Sequence, residues 1–279
     1  MSLNVIDRGN GTPVVVIPGI QGRWEWMTPA IDALAQRCRV ITFSLADEPS
    51  SGGRFDESRG FRSYVEQVRE ALDATGVRKA AICGVSYGGL IAAAFATRHP
   101  DRTSSVVLVS ALPPSWRPDA RVRLYLRTPR LLAPLFVLAS LRMYREIAAA
   151  SAGVARGFMA ATGLSWLALT HMFSPGRMAR RVRLLESLDL QAELARAAAH
   201  ATAPLTTPVL IVTGEPTLDR VVPVSATHEY LRLWPQADVA TIPRTGHLGS
   251  MTRPAALARL IVPFAERTAH DVDARRRVG

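Results

Sequence analysis

One serine in this chain stands between two glycines at a spacing of two, in Gly84-Val85-Ser86-Tyr87-Gly88. A serine hydroxyl is a weak nucleophile. It attacks a carbonyl only where a base takes its proton and where donors receive the charge that develops on oxygen. The glycines suit a sharp bend, because side chains two residues either side of the serine would collide there. Before the motif lies the apolar run Ala80-Ala81-Ile82-Cys83, and after it residues 87–98 read as a helix ended by His99-Pro100. Strand, tight turn and helix together form the setting in which a G-x-S-x-G serine is held up at the top of a sheet. A helix that starts at the serine also supplies free backbone N–H groups and the positive end of its dipole.

That setting needs a sheet around it. Short β-branched runs alternate with longer helix-like segments, which predicts a parallel sheet covered by helices on both faces. Strands are expected at 14–17, 39–44, 80–84, 104–110, 208–214 and 237–242. Helices are expected at 27–37, with Thr28 as a candidate cap, and at 60–75, 87–98, 224–234 and 253–267. The runs VVVIP, AAICG, SSVVLVS and PVLIVTG are continuously apolar, as strands buried on both faces should be. From about 113 to 203 no strand is evident, only helix-like sequence. The expected fold class is therefore α/β: a mostly parallel central sheet with an inserted all-helical cap. Its expected divisions are core at 1–113, cap at 114–203, core at 204–268 and a basic, flexible tail at 269–279.

With these features the chain resembles the α/β-hydrolase family over most of residues 10–268, the helical insertion being its least determined part. The resemblance implies a nucleophile, an acid and a histidine in that chain order, each after a strand. Ser86 is then the nucleophile. Asp219, in Glu215-Pro216-Thr217-Leu218-Asp219-Arg220-Val221-Val222-Pro223, matches the acid loop, with Glu215 the second candidate. His247, in Arg244-Thr245-Gly246-His247, matches the histidine loop. His99, His171, His200, His228 and His270 lack that placement. The resemblance also implies an oxyanion hole from the backbone N–H groups of Ile20 and Tyr87. Family members often carry His-Gly where this chain has Pro18-Gly19; the change leaves the Ile20 N–H in place. Gln21, Trp24 and Trp26 follow closely and are candidates for substrate contact, although both tryptophans could equally pack the loop on the core. The implied activity is that of a serine hydrolase acting on a carboxylic ester or related acyl bond of a small, apolar substrate. A C–C bond hydrolase or acyltransferase on the same residues, and a ligand-binding member without turnover, stand as alternatives. No metal and no organic cofactor is required by this chemistry. Relatives that displace halide or open epoxides use an aspartate where this chain has Ser86.

The bulk numbers set limits. The 279 residues suit one α/β domain with an insertion, and 48% hydrophobic content suits a packed core rather than a disordered chain. The formal charge is +11, almost all from arginine, with Lys79 the only lysine. No basic motif is interleaved with stacking aromatics, so nucleic acid is not an expected partner. Arg121, Arg123, Arg127 and Arg130 could attract a carboxylate or an anionic surface, but read more simply as a solvated face. Cys38 and Cys83 form neither a disulfide framework nor a metal motif. No signal peptide and no transmembrane segment is read, and a cytoplasmic location is expected.

Overall fold

The computed structural model describes residues 3–134, 143–150, 174–186, 189–199 and 206–278. Seven strands form one sheet: β1 (Val5–Arg8), β2 (Thr12–Ile17), β3 (Cys38–Phe43), β4 (Ala80–Val85), β5 (Thr103–Val109), β6 (Val209–Thr213) and β7 (Asp238–Thr241). Their spatial order is β1-β3-β2-β4-β5-β6-β7. All neighbours are parallel except β1, which runs antiparallel to β3 at one edge. β1 was not expected from the sequence: its residues, Val5-Ile6-Asp7-Arg8, are two apolar followed by two charged and lack the alternation that marks a half-buried strand.

The helices longer than one turn, among the described residues, are α1 (Thr28–Leu34), α2 (Arg62–Ala74), α3 (Tyr87–Arg98), α4 (Ala120–Arg127), α5 (Tyr144–Ala150), α6 (Pro175–Glu186), α7 (Leu190–Ala199) and α8 (Pro254–Val278). Both sheet faces are covered, which is why the central strands carry no polar alternation. Val15 and Ile17 of β2 join the core beneath α2 and α3, while Val14 and Val16 join the core beneath α1 and α8. Between β5 and β6 the described residues hold helices and no strand. His171, His200 and residues 135–138 lie outside the described residues.

Three local expectations change. The final helix does not end near 267; helical backbone continues to Val278. The predicted helix at 224–234 divides into an α-helical turn, Val224–Thr227, and a 3-10 turn, His228–Arg232. Thr28 does not cap α1: it is the first helical residue, and its hydroxyl donates to the Glu25 carbonyl at 2.8 Å.

The site is placed by the sheet. After β2 the chain moves to β3 on one side, then returns to β4 on the other, so the order reverses between β2 and β4. Loops leaving the carboxyl ends of strands at such a point flank a crevice. Ile17 of β2 pairs with Gly84 of β4, and Val85 of β4 with Val109 of β5. The Pro18-Gly19-Ile20 loop and Ser86 therefore leave adjacent strand ends.

Candidate active site

Ser86 occupies the N-cap of α3 with φ 53° and ψ −117°, a backbone conformation that non-glycine residues rarely adopt. Its N–H donates to the Val109 carbonyl at 2.9 Å, and its carbonyl accepts from Gly89 and Leu112 at 2.9 and 3.1 Å. The bend leaves no room for side chains beside it. A Cβ on Gly84 would stand 2.2 Å from the Gly88 carbonyl oxygen, and one on Gly88 would stand 2.5 Å from that of Ile17. A serine at an N-cap ordinarily accepts from the first helical turn. Here it makes no such bond. Its Oγ lies instead 3.0 Å from His247 Nε2.

His247 follows β7 on a loop that packs on the loop after β6. The contact is backbone against backbone: a Cβ on Gly246 would meet Asp219 N at 2.5 Å, and one on Gly214 would meet the Thr245 carbonyl oxygen at 2.4 Å. His247 Nδ1 faces Asp219 Oδ2 at 3.5 Å, an ion-pair separation rather than a hydrogen bond. The other oxygen, Oδ1, accepts from the N–H groups of Val221 and Val222 at 3.0 and 2.9 Å, so the buried carboxylate is held by its own loop. Glu215 serves elsewhere. Its Oε1 accepts from the Arg244 N–H at 2.7 Å and fastens the histidine loop at Arg244, which has φ 58°.

The remaining candidates divide. Gly19 packs against Ser86, its Cβ position 3.4 Å from the serine Cβ, and Ile20 follows in the same loop. Tyr87 begins α3; its ring is buried against Phe61 and Tyr64, and its hydroxyl donates to the Arg181 carbonyl at 3.5 Å. Gln21 has a buried Oε1 without a hydrogen-bond partner. Trp24 and Trp26 pack against the core beneath α1 and α8, and the Arg8 guanidinium sits over the Trp24 ring at 5.3 Å.

Two charged residues next to the site were missed. Glu146, on α5, is buried. Its Oε1 accepts from the Thr245 hydroxyl at 2.9 Å and from the Leu248 N–H, gripping the loop on either side of His247. Arg181, on α6, has no exposed side-chain surface and pairs with Asp47 and Glu48. Burial opposes its charge, but the two carboxylates outweigh this and hold the guanidinium pKa above its usual value. Removing one partner from a buried pair of this kind costs about 3–5 kcal/mol. Neither contact has a local sequence signal, since each joins residues about a hundred or more positions apart.

Two surface clefts, of about 330 and 580 Å³, lie among Arg123, Leu126, Arg127, Arg183 and Glu186 and along residues 46–70; neither is lined by Ser86, Asp219 or His247. Hydrogen-bond geometry, not cleft size, therefore marks the candidate site. Among the described residues, no group of three or more His, Cys, Asp or Glu side chains could hold a metal ion, and no helix is long and apolar enough to cross a membrane.

Residues 12–254 match the alpha/beta hydrolase fold family. A RutD protein of Stutzerimonas stutzeri (strain A1501), whose name describes a carbamate hydrolase, is 27% identical over 244 residues, 86% of each chain. The 2-hydroxymuconate semialdehyde hydrolase of Pseudomonas putida is 30% identical over 122 residues, 39% of this chain and 40% of that one. The solved enol-lactonase of Burkholderia xenovorans LB400 superposes with a TM-score of 0.74 at 19% identity, covering 94% of this chain and 95% of its own. That last likeness is one of fold.

Proposed function

The chain belongs to the α/β-hydrolase fold family, and from that membership we propose that it is a serine hydrolase needing no cofactor, cleaving a carboxylic ester or related acyl bond of a small, apolar substrate. The observation that carries the reading is the 3.0 Å approach of His247 Nε2 to Ser86 Oγ, at a serine whose strained N-cap backbone turns its hydroxyl away from helix capping.

His247 takes the Ser86 proton as the hydroxyl attacks the carbonyl carbon. Asp219 fixes the histidine tautomer and stabilises the imidazolium; its 3.5 Å approach shortens in the substrate complex, as contacts of this kind do. The N–H groups of Ile20 and Tyr87 receive the oxyanion, and loss of one such donor costs about 10²–10³ in rate. The imidazolium then protonates the leaving group, and water, activated by the same histidine, releases the acyl group from Ser86. To take the Ser86 proton the base must itself be unprotonated. The helices between β5 and β6 form a cap over the strand ends, which accounts for α5 and α6 reaching the site loops.

The test is labelling with a fluorophosphonate probe, read by peptide mass spectrometry, on wild type, Ser86→Ala and His247→Ala. The expected result is one adduct at Ser86 that is lost in the first variant and strongly slowed in the second. A folded wild type that does not label rejects the hydrolase reading and favours a ligand-binding member of the fold. The names of the sequence relatives add carbamates and 2-hydroxymuconate semialdehyde to a substrate panel of simple esters. Product analysis with water and with alcohol acceptors separates hydrolysis from acyl transfer.

A further inference from the structure

A guanidinium cannot shed its proton, so an arginine buried without exposed surface must find partners for all its donors. Arg181 finds more than neutralisation requires. Its Nε and Nη2 lie 3.1 and 2.7 Å from Asp47 Oδ1, and Nη2 also lies 2.6 Å from Glu48 Oε1. Arg177, one turn earlier on α6, stands 3.0 Å from Glu48 Oε2, so two arginines face two carboxylates. The remaining nitrogen, Nη1, reaches past the acids and donates to the Ile20 carbonyl at 2.8 Å.

That carbonyl belongs to the residue assigned to donate the first oxyanion N–H. The peptide bearing this N–H is the one between Gly19 and Ile20. A peptide is planar and trans, so its N–H direction is fixed once its carbonyl is fixed. The Gly19 carbonyl accepts from Gly22 N–H at 2.9 Å, and the Gly22 carbonyl accepts from Leu45 N–H at 2.7 Å. Gly22 has φ 74°, and a Cβ there would stand 2.3 Å from the guanidinium. Arg181 thus holds the turn at Ile20 and covers it at Gly22. Its own carbonyl meets the hydroxyl of Tyr87, the second assigned donor residue.

We propose that Arg181 is a positioning residue of the oxyanion hole: a side chain from the helical insertion that sets the direction of the Ile20 N–H and braces Tyr87, while Asp47 and Glu48 hold it out of reach of substrate. The proposal rests on the hydrolase reading above. It implies that the insertion completes the hole, so displacing α6 disarms the site without touching Ser86 or His247.

The test uses p-nitrophenyl acetate turnover between about pH 5 and 9 and the rate of fluorophosphonate labelling at Ser86. Arg181→Met alone strands the buried Asp47 carboxylate and leaves Glu48 with Arg177 only, so the informative variant is Arg181→Met with Asp47→Asn and Glu48→Gln, with folding followed by thermal melting. The expected result is kcat lower by about 10- to 100-fold, KM within about threefold of wild type, and labelling slowed in parallel. The acid limb of the kcat/KM profile stays where it is, because the Ser86–His247 pair is intact. Arg181→Lys keeps the charge but lacks the fork that spans Asp47, Glu48 and Ile20, and gives an intermediate loss. Gly22→Ala drives a methyl against the guanidinium and pushes on the same turn, with the Arg181, Asp47 and Glu48 side chains all kept; if the triple variant does not fold, it must show the kcat loss by itself. Unchanged kcat in a folded triple variant, or a loss accompanied by a moved acid limb, overturns the proposal. A wild type with neither turnover nor labelling overturns the hydrolase reading, and this proposal with it.

Discussion

The glycines around Ser86 look like flexibility in the sequence and turn out to be space. Gly84, Gly88 and Gly246 each face backbone within 2.6 Å of where a Cβ would be. Backbone cannot rotate away as a side-chain tip can. Gly84→Ala and Gly246→Ala are therefore expected to destabilise the fold by about 1–3 kcal/mol or more. Gly76→Ala is the control. It has φ 67° but nothing within 4 Å, so only the conformational strain of about 1–2 kcal/mol applies. Urea midpoints of the three variants check the ranking, and Gly76→Ala proving the most damaging would refute it. At this scale the sequence was legible where the requirement is local. Ser86 and His247 are flanked by the residues that shape their own turns. Asp219 and Glu215 were harder to separate, because both leave the same strand. The geometry divides them by partner: Asp219 faces His247 Nδ1, and Glu215 ties down Arg244.

At the scale of elements, two helices of the insertion grip the two halves of the site, α5 through Glu146 at the histidine loop and α6 through Arg181 at the Ile20 loop. The sequence showed an apolar, helix-rich segment and nothing of these grips, since a lone charge in such a segment reads as a solvated face. Glu146 has a pH signature. Burial holds its carboxyl above the usual 4.5, against the opposing pull of the hydrogen bonds from Gly246, Thr245 and Leu248 and of the His247 charge. The folded protein thus keeps this proton over a range in which the unfolded chain has already lost it. Stability contributed by the group falls as pH rises from the usual value through the raised one, and levels off above. Glu146→Gln retains an acceptor for the Thr245 hydroxyl and Leu248 N–H but cannot titrate. The variant is expected to have a higher urea midpoint than wild type at neutral pH, with the difference vanishing below the ordinary glutamate range. A difference independent of pH would show that Glu146 is not held protonated by burial.

At the scale of the molecule, the parallel core was legible because burial on both faces removes polar alternation and leaves apolar runs. The edges were less so: β1, four residues and partly exposed, carried no signal, and α8 continues beyond 267 into charged sequence, whereas the equally short β7 lies within the strand expected at 237–242. The same double burial has a consequence for the two thiols. Cys38 and Cys83 lie on β3 and β4 with at most 1% exposure, and desolvation pushes them up to about 11 and about 12. A thiol reagent attacks thiolate, and here it meets neither thiolate nor access. Both sulfurs sit in strands that open only when the sheet itself comes apart. Modification with an aromatic disulfide is expected to be negligible in the native protein and complete in denaturant, both cysteines reacting together. Prompt reaction of one cysteine under native conditions would show a sheet that breathes locally. Otherwise the chain carries its own clock: the rate at which colour develops counts the excursions of the whole fold to its unfolded state, with no label to install and no catalytic residue disturbed.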